Sequence, residues 1–85
     1  MFKVYERVYK MDTEIYKSLS DETRLRIINI LMVKPLCVCE IEMVLNLSQT
    51  NASRHLLKLK HSGIVEFYKK SQWAVYMIDK RFIEN

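Results

Sequence analysis

Two cysteines stand one residue apart near the middle of the chain, as Cys37 and Cys39 on either side of a valine. Thiolates are strong nucleophiles and soft ligands for thiophilic ions. Pro35 precedes the pair and allows a helix to start there, and the free amides of a helix N-terminus favour the thiolate over the thiol. Residues i and i+2 of a regular helix point about 200° apart. The pair can therefore share one ion only if the first turn is distorted or not yet helical, and we expect binding to require local movement.

Other interpretations of the two cysteines are available from the residues alone. A disulfide is disfavoured, because closing a one-residue loop is strained and the reducing compartment expected for this chain keeps thiols free. For an arbitrary Cys-x-Cys pair, the commoner case is two small buried apolar residues.

A polar and cationic helix is the second candidate for chemistry. Ser48 is a good N-cap and Gly63 a good stop, and between them Ala52, Leu56 and Leu59 recur at helical spacing. The residues that this stripe leaves outside are Gln49, Thr50, Asn51, Ser53, Arg54 and Lys58. Gln and Asn can pair with adenine, Arg with guanine, and Ser and Thr with phosphates. The pattern fits a DNA-reading helix, and an ordinary amphipathic helix with a solvated face is the alternative.

A zinc finger is a further combination to consider, because Cys37 and Cys39 are followed by His55 and His61. The two histidines would lie about 240° apart on one helix, so they cannot converge on a tetrahedral ion with the cysteines. We expect His55 to lie beside the DNA backbone or half in the core, and His61 to be a solvated residue of the last turn.

The elements around the polar helix complete a known arrangement. The run from Glu40 to Leu45 predicts a preceding helix, and Asn46 can adopt a left-handed turn. A helix, a tight turn and a polar helix make a helix-turn-helix. Two runs rich in β-branched and aromatic residues follow Gly63, at 64–68 and 73–78, and predict a β-hairpin.

The hairpin needs support from the helices, since two strands alone are marginal in water. Trp73 is the expected anchor. Lys69 and Lys70 are expected at the hairpin tip, where they could form a solvated turn or a wing that reaches phosphates or the minor groove.

Two helices are expected before the cysteines. The first carries an apolar stripe that includes Val4, Val8 and Leu19 and is broad enough to face both a core and a partner. The second is capped by Ser20-Asp21 and broken at Lys34-Pro35. Its two arginines, Arg24 and Arg26, lie about 200° apart, so each is expected to be solvated.

Length and charge bound the kind of protein. A chain of 85 residues makes one small domain with a marginal core, so we expect an oligomer. No apolar run approaches the ~20 residues that span a bilayer, and no signal-peptide core is present, so we expect a cytoplasmic protein without a membrane partner. The net charge is +4; residues 1–42 hold seven basic and seven acidic side chains, and residues 43–85 hold seven and three. The excess lies in the half with the polar helix, which suggests a polyanionic partner.

The chain resembles the arsenical-repressor (ArsR/SmtB) family of winged-helix regulators over residues 17–78. Four blocks carry the resemblance: 17–27, 36–41, 47–56 and the hairpin that begins at Ile64. The resemblance implies a homodimeric repressor that binds an operator and leaves it when a ligand binds. In the arsenic-sensing branch a Cys-Val-Cys block takes up arsenite or antimonite, and Cys37 and Cys39 match it.

Several positions depart from the family pattern. Arsenic sensors often have a third cysteine where this chain has Glu42, so As(III), which prefers three thiolates, would need water, hydroxide or an exogenous thiol. Cadmium and lead sensors add cysteines from an N-terminal extension, and this chain has only two cysteines. Zinc and nickel sensors use a C-terminal helix that would follow Asp79, and we expect none here. Glu22 replaces a usual proline at a position that tolerates the change.

We therefore expect a mainly α protein with a small β-hairpin: a homodimeric winged helix-turn-helix whose N-terminal helix lies at the dimer interface. It is one domain over 1–85, with a dimerisation helix at 1–19, a helix-turn-helix at 37–61 and a wing at 64–78. Its partner is expected to be double-stranded operator DNA, contacted by Ser48, Gln49, Thr50, Asn51, Ser53, Arg54, His55, Lys58, Lys69 and Lys70.

The expected inducer is As(III) or Sb(III) at Cys37 and Cys39, with no obligatory cofactor. The alternatives are a thiol-based redox or persulfide-sensing repressor of the same fold and a winged-helix protein-interaction module without metal sensing. An enzyme is not expected, because the chain lacks paired carboxylates with a histidine base and a glycine-rich phosphate loop.

Overall fold

The computed structural model describes residues 13–84 of the chain. Their helices and strands are α1 (Thr13–Leu19), α2 (Glu22–Val33), β1 (Leu36–Cys37), α3 (Val38–Leu45), α4 (Gln49–His61), β2 (Val65–Lys70), β3 (Trp73–Ile78) and α5 (Lys80–Glu84). The fold is mainly α with a small antiparallel sheet, as expected from the sequence. The expectation that no helix follows Asp79 is wrong, because the short helix α5 begins at Lys80. Most of the predicted dimerisation helix at 1–19 lies outside the described residues. No helix in the described part is long and apolar enough to cross a membrane.

Local sequence signals set the limits of α2. The carboxylate of Asp21 accepts a hydrogen bond from the backbone N–H of Arg24 over 3.0 Å, which satisfies one free amide of the first turn. The helix ends at Val33, and Lys34, which precedes Pro35, is extended with φ −170°. This confirms the predicted cap and the predicted break, since proline disfavours helical geometry in the residue before it.

One apolar core joins the helices to the sheet. It is formed by Ile27, Ile28, Leu31, Ile41, Leu56, Leu59, Ile64, Val65 and Ile78. Members of α2, α3 and α4 meet here with both long strands, so α4 is fixed on the body of the protein by its inner side. Ile15 and Leu19 of α1 pack against the rim of this core.

The sheet contains a strand that the sequence did not predict. Its strand order is β1-β3-β2, and all pairs are antiparallel. In the short strand β1, Leu36 pairs with Tyr76 and Cys37 with Val75 of the central strand. A two-residue strand has no periodicity of its own, and only its partner strand, 38 to 40 positions later in the chain, reveals it.

The hairpin differs from the prediction at its tip. Lys69 and Lys70 belong to β2, opposite Ala74 and Trp73, and the turn itself lies at 71–72. The expected anchor is wrong, because Trp73 is 52% exposed. Strands rise about 3.3 Å per residue, so Trp73 lies roughly 17 Å from Ile78, the strand residue that is buried in the core.

The two arginines of α2 also differ from each other. The side chain of Arg26 is 63% exposed and pairs with Glu22 over 3.0 Å, whereas the side chain of Arg24 is only 12% exposed. The expected solvation is right for Arg26 and wrong for Arg24. Arg24 lies toward the junction of α1, α2 and α4, where it finds polar partners from all three elements.

Candidate nucleic-acid interface and thiol pair

The turn between α3 and α4 is tight and left-handed. Asn46 has φ 55°, and the backbone N–H of Leu47 donates to the carbonyl of Glu42 over 2.9 Å. The hydroxyl of Ser48 then accepts from the backbone N–H of Asn51 over 3.1 Å and caps α4. Asparagine tolerates the left-handed region better than most residues. The two helices are therefore joined by three residues, as in a helix-turn-helix.

Helix α4 has one buried stripe and a broad exposed surface. Ala52, Leu56 and Leu59 are fully buried, as predicted. The N-cap Ser48 is exposed, and so are all six polar residues predicted for the outer face: Gln49, Thr50, Asn51, Ser53, Arg54 and Lys58. We call these seven residues the polar face of α4. Near its N-terminal end, Arg54 donates from Nη2 to Oδ1 of Asn51 over 2.9 Å.

His55 does not belong to this exposed surface. It is half-buried, and its Nδ1 lies 3.2 Å from Nη1 of Arg24. Burial lowers the pKa of the imidazole below its ordinary value; Asp21 raises the pKa, and the positive charge of Arg24 lowers it further. Of the two positions expected for His55, beside the DNA backbone or half in the core, the side chain adopts the second. The contact with Arg24 could not be predicted from the sequence, because the two residues lie 31 positions apart.

The two lysines of the wing point to opposite faces of the hairpin, because side chains alternate along a strand. Lys70 shares its face with Tyr68 and Trp73, and all three are exposed. Lys69 lies on the other face, with Phe67. Tyr68 and Trp73 were not among the residues expected at the interface, although strand alternation places them beside Lys70.

A further cation connects α4 to the wing. The Nζ of Lys60 lies 4.4 Å from the centre of the Phe67 ring, and this ring stacks on Tyr76 with centroids 5.3 Å apart. A cation over an aromatic face is attracted by the ring quadrupole. Lys60 therefore joins the end of α4 to the face of the hairpin that carries Phe67, a contact that was not expected from the sequence.

The sulfur atoms of Cys37 and Cys39 are close together without any distortion of α3. They are free thiols with 2.9 Å between the Sγ atoms. Cys37 ends β1 and is the N-cap of α3, with extended backbone at φ −80° and ψ 164°. Of the two conditions expected for sharing one ion, a distorted first turn or one that is not yet helical, the structure shows the second, because Cys37 lies outside the helical geometry that would point the sulfurs apart.

Glu40 controls the backbone of this thiol pair. Its Oε1 accepts from the N–H of Cys37 over 2.9 Å, and this bond lowers the pKa of the Glu40 carboxyl. The pKa of the Cys37 thiol is raised, chiefly by its hydrogen bond with Cys39, and burial and the Glu40 side chain add to the effect. For Cys37 this direction is opposite to the preference for thiolate expected at a helix N-terminus. An ion that takes the place of the thiol proton would remove the hydrogen bond between Cys37 and Cys39, which is the main cause of the raised pKa.

The donor set suits an ion that two thiolates can hold. Two sulfurs bound at about 2.3 Å to one ion with an angle near 100–110° lie about 3.5–3.8 Å apart. The pair would have to open by less than about 1 Å to reach that geometry. Within residues 13–84 no group of three or more His, Cys, Asp or Glu side chains converges to hold a metal ion.

Known proteins share the sequence of this region. Residues 21–66 match the family described as bacterial regulatory protein, arsR family. An arsenic resistance transcriptional regulator, ArsR2 of Pseudomonas putida, is 42% identical over 67 residues, which cover 78% of this chain and 58% of that protein. A cadmium resistance transcriptional regulatory protein, the CadC homolog of Staphylococcus aureus, is 33% identical over 72 residues, which cover 84% and 60%. The chain thus spans less than two thirds of either relative.

A solved structure shares the fold. It is the homodimeric winged helix-turn-helix DNA-binding domain of a possible ArsR-family transcriptional regulator from Mycobacterium bovis, with a TM-score of 0.78 and 25% identity. The match covers 93% of this chain and 69% of that domain. The family match at residues 21–66 includes the helix-turn-helix with its polar face.

Proposed function

The chain belongs to the arsR family of bacterial regulatory proteins, and from this premise we propose that it is a homodimeric repressor of operator DNA that a thiophilic ion releases. The observation that carries the proposal is the polar face of α4, which is exposed on a helix held by a three-residue turn and a buried stripe. Regulators of this fold place such a helix in the major groove. Since the family is one of regulatory proteins, an enzymatic role is not proposed.

The charges around α4 support a nucleic-acid partner. Lys58 is the last residue of the polar face, and Lys69 and Lys70 are exposed on the wing. Lysines neutralise phosphates and release counterions, which supplies affinity that is independent of sequence. The amide and guanidinium groups at the start of α4 then supply the contacts to base edges, and Ser48, Thr50 and Ser53 contact phosphates.

A second copy of the chain is the proposed dimer partner. Several large apolar side chains of α2 and α3 are exposed, among them Met32, Val33, Met43 and Val44. A small domain with this much uncovered apolar surface gains stability by association. The Mycobacterium bovis domain of the same fold is described as homodimeric, which also supports a dimer. The predicted N-terminal helix at 1–19 is proposed to contribute to the interface.

The proposed inducer is As(III) or Sb(III), chelated by Cys37 and Cys39. The pair supplies two sulfurs that are already close, and soft thiolates prefer thiophilic ions. The names of the relatives mention arsenic and cadmium resistance, so Cd(II) is the first ion to compare. With only two thiolates, a pyramidal As(III) retains one position for water, hydroxide or an exogenous thiol.

The thiol pair lies at the end of β1 and the start of α3, the two elements that connect it to the wing and to α4. Cys37 caps α3, which leads through the turn into α4, and it also pairs with Val75 of the central strand. Opening the sulfurs would therefore shift both the start of α3 and the edge of the sheet that carries the wing. A hundredfold release needs the ion to bind the free protein about 2.7 kcal/mol more tightly than the DNA complex.

The test is a binding titration with DNA. The probe is a duplex that the wild-type protein enriches from a random library, compared with a scrambled duplex at two salt concentrations. Arsenite, antimonite, Cd(II), Zn(II) and peroxide are then added in parallel to the preformed complex. The proposal predicts enrichment of a defined, partly two-fold symmetric sequence and its release by arsenite or antimonite.

Other outcomes identify the other functions. Release by peroxide alone would assign the cysteines to redox or persulfide sensing. Release by Cd(II) but not by arsenite would keep the repressor and change the inducer. Failure to enrich any duplex at low salt would leave a protein-interaction module and overturn the proposal.

A further inference from the structure

The guanidinium of Arg24 lies at the meeting point of α1, α2 and α4. Its Nε donates to the carbonyl of Ser18 over 3.3 Å, and its Nη2 donates to the carbonyl of Lys17 over 3.4 Å. Its Nη1 lies 3.2 Å from Nδ1 of His55, and Asp21 adds an ion pair at 3.9 Å. One side chain therefore holds the end of α1, the cap of α2 and the flank of α4.

Arginine suits this position better than lysine does. Its planar fork presents several donors in fixed directions, whereas a lysine is a single charged group on a flexible stem. The carbonyls at the C-terminal end of α1 have no partner four residues later in the helix, and the guanidinium joins the backbone N–H groups of Ser20 and Asp21 in donating to them. A nearby buried contact strengthens the same junction, since the hydroxyls of Ser18 and Ser62 lie 2.7 Å apart.

The contact with His55 fixes the state of the imidazole. A guanidinium stays protonated and can only donate, so Nδ1 of His55 must accept and the imidazole must be neutral, with its proton on Nε2. The charged groups that face the ring are Asp21 and Arg24 from α2 and Arg54 and Lys58 from α4 itself. Three of these four are positive, so a second proton on His55 meets repulsion and loses the bond to Arg24.

We propose that Arg24 is a positioning residue for α4, which it holds at the correct angle through the neutral imidazole of His55. The inference rests on the proposed function, because the angle matters only if α4 reads DNA. In a two-fold dimer the two reading helices must lie about 34 Å apart, so a small tilt in each subunit weakens both half-sites together. Protonation of His55 breaks its contact with Arg24 and allows α4 to tilt in this way.

The direction in which DNA affinity changes with pH distinguishes a positioning role of His55 from a direct contact with phosphates. A histidine beside phosphates becomes cationic as the pH falls and strengthens binding to any duplex. Protonation of His55 is expected instead to weaken binding to the enriched duplex, by up to about tenfold for each pH unit below the pKa of the imidazole. Binding to scrambled DNA, which does not depend on the helix angle, is expected to change less.

The experiment compares matched variants of the full chain, with urea unfolding used to confirm that each is folded. Arg24→Gln and Arg26→Gln remove the same charge from the same helix, but only Arg24 contacts α4. His55→Gln and His61→Gln remove one titratable ring each from α4, and His61 is exposed. Affinities for the enriched and scrambled duplexes are measured between pH 5.5 and 7.5, and amide and imidazole NMR spectra are recorded without DNA.

Arg24→Gln is expected to lower the ratio of specific to non-specific binding about tenfold, as for a lost hydrogen bond to a charged group, and Arg26→Gln to leave it nearly unchanged. His55→Gln is expected to abolish the loss of specificity at low pH, and His61→Gln to retain it. In the NMR spectra, Nδ1 of His55 should be unprotonated at pH 7.5, and Arg24→Gln should move the amides of 51–58. Equal effects of the two arginine variants, or a pH profile unchanged by His55→Gln, would overturn the proposal.

The NMR measurements separate this inference from the proposed function. If no duplex is enriched, the proposed function fails, and the inference fails with it as a statement about DNA reading. If a duplex is enriched but Arg24→Gln leaves the amides of α4 in place and the binding ratio intact, only the positioning role is overturned. Should Arg24→Gln not fold, the pH profile of His55→Gln decides the question by itself.

Discussion

Arg54 and Asn51, one turn apart on the exposed side of α4, form a hydrogen bond of 2.9 Å between Nη2 and Oδ1. Both side chains are polar groups that can contact base edges, and each restricts the rotamers of the other before DNA arrives. Ordering a long side chain at an interface costs about 0.5–1.5 kcal/mol. The pair therefore lowers that cost and fixes the direction in which the guanidinium points.

The first prediction concerns base recognition by this pair. Asn51→Ala removes one amide and also frees Arg54, so the protein should lose about 1–3 kcal/mol of discrimination between the enriched duplex and a scrambled one. Gln49→Ala should have an effect of the same kind. Fluorescence anisotropy with both duplexes measures the ratio. Lys58→Ala is the matched control, since it should weaken both duplexes equally; an unchanged ratio for Asn51→Ala would remove this residue from the reading set.

The second prediction concerns the charges of the wing. If Lys58, Lys69, Lys70 and their copies in a dimer neutralise about six phosphates, the logarithm of the binding constant should fall with the logarithm of salt with a slope near −5. A slope shallower than about −2 would show that this is not the binding surface. Lys69→Ala and Lys70→Ala should differ, because the two side chains lie on opposite faces of the hairpin. Lys80→Ala, an exposed lysine of α5, serves as the control.

The third prediction concerns the thiol pair. Cys37→Ser and Cys39→Ser should each leave binding to the enriched duplex nearly intact, because serine keeps the size of the side chain. Each should abolish release by arsenite, since one sulfur cannot chelate. A wild-type response in Cys39→Ser would rule out a two-thiolate chelate. Loss of DNA binding in both variants would instead show that the cysteines have a structural role.

The fourth prediction concerns acid stability at the start of α5. The side chain of Asp79 is 4% exposed, and its carboxylate accepts from Arg81 at 2.8 Å and 3.1 Å. The Arg81 hydrogen bonds lower the pKa of Asp79 below its ordinary value of 3.8, against the effect of burial. The unfolded chain thus binds this proton more readily than the folded one, so the stabilisation is complete above about pH 4 and is lost as the pH falls through the lower folded pKa.

Asp79→Asn should therefore remove part of the loss of stability below pH 4, as followed by urea unfolding at a series of pH values. Arg81→Gln should move that loss to higher pH, because it removes the partner of a nearly buried carboxylate. An acid profile that is the same in the wild type and in Asp79→Asn would contradict the assignment.

The fifth prediction compares two neighbouring leucines of α4. Leu56 is fully buried and Leu57 is 53% exposed. Leu56→Ala should lower the free energy of unfolding by about 2–5 kcal/mol, through lost apolar burial and the cavity left behind. Leu57→Ala should change it by about 0.5 kcal/mol or less. Equal losses in urea unfolding would mean that Leu57 is covered in solution, and a concentration-dependent midpoint would then identify the covering surface as a dimer contact.

The sequence by itself determined the elements whose signals are local. Ser48 caps α4, Asn46 adopts the left-handed turn, and Gly63 with φ 79° follows the last turn of the helix. Each of these features depends on one residue and its immediate neighbours, so composition and spacing are enough to predict it. The buried stripe of α4 follows in the same way from helical periodicity.

Only the tertiary structure decided the features that join distant parts of the chain. Cys37 is extended because β1 pairs with Val75, and this pairing places its sulfur beside that of Cys39 rather than across a helical turn. Arg24 is withdrawn from solvent because His55, 31 residues later, lies within reach of its guanidinium. Such contacts have no periodicity along the sequence; they arise when the core brings helices and strands together and every polar group left at their junctions must find a partner.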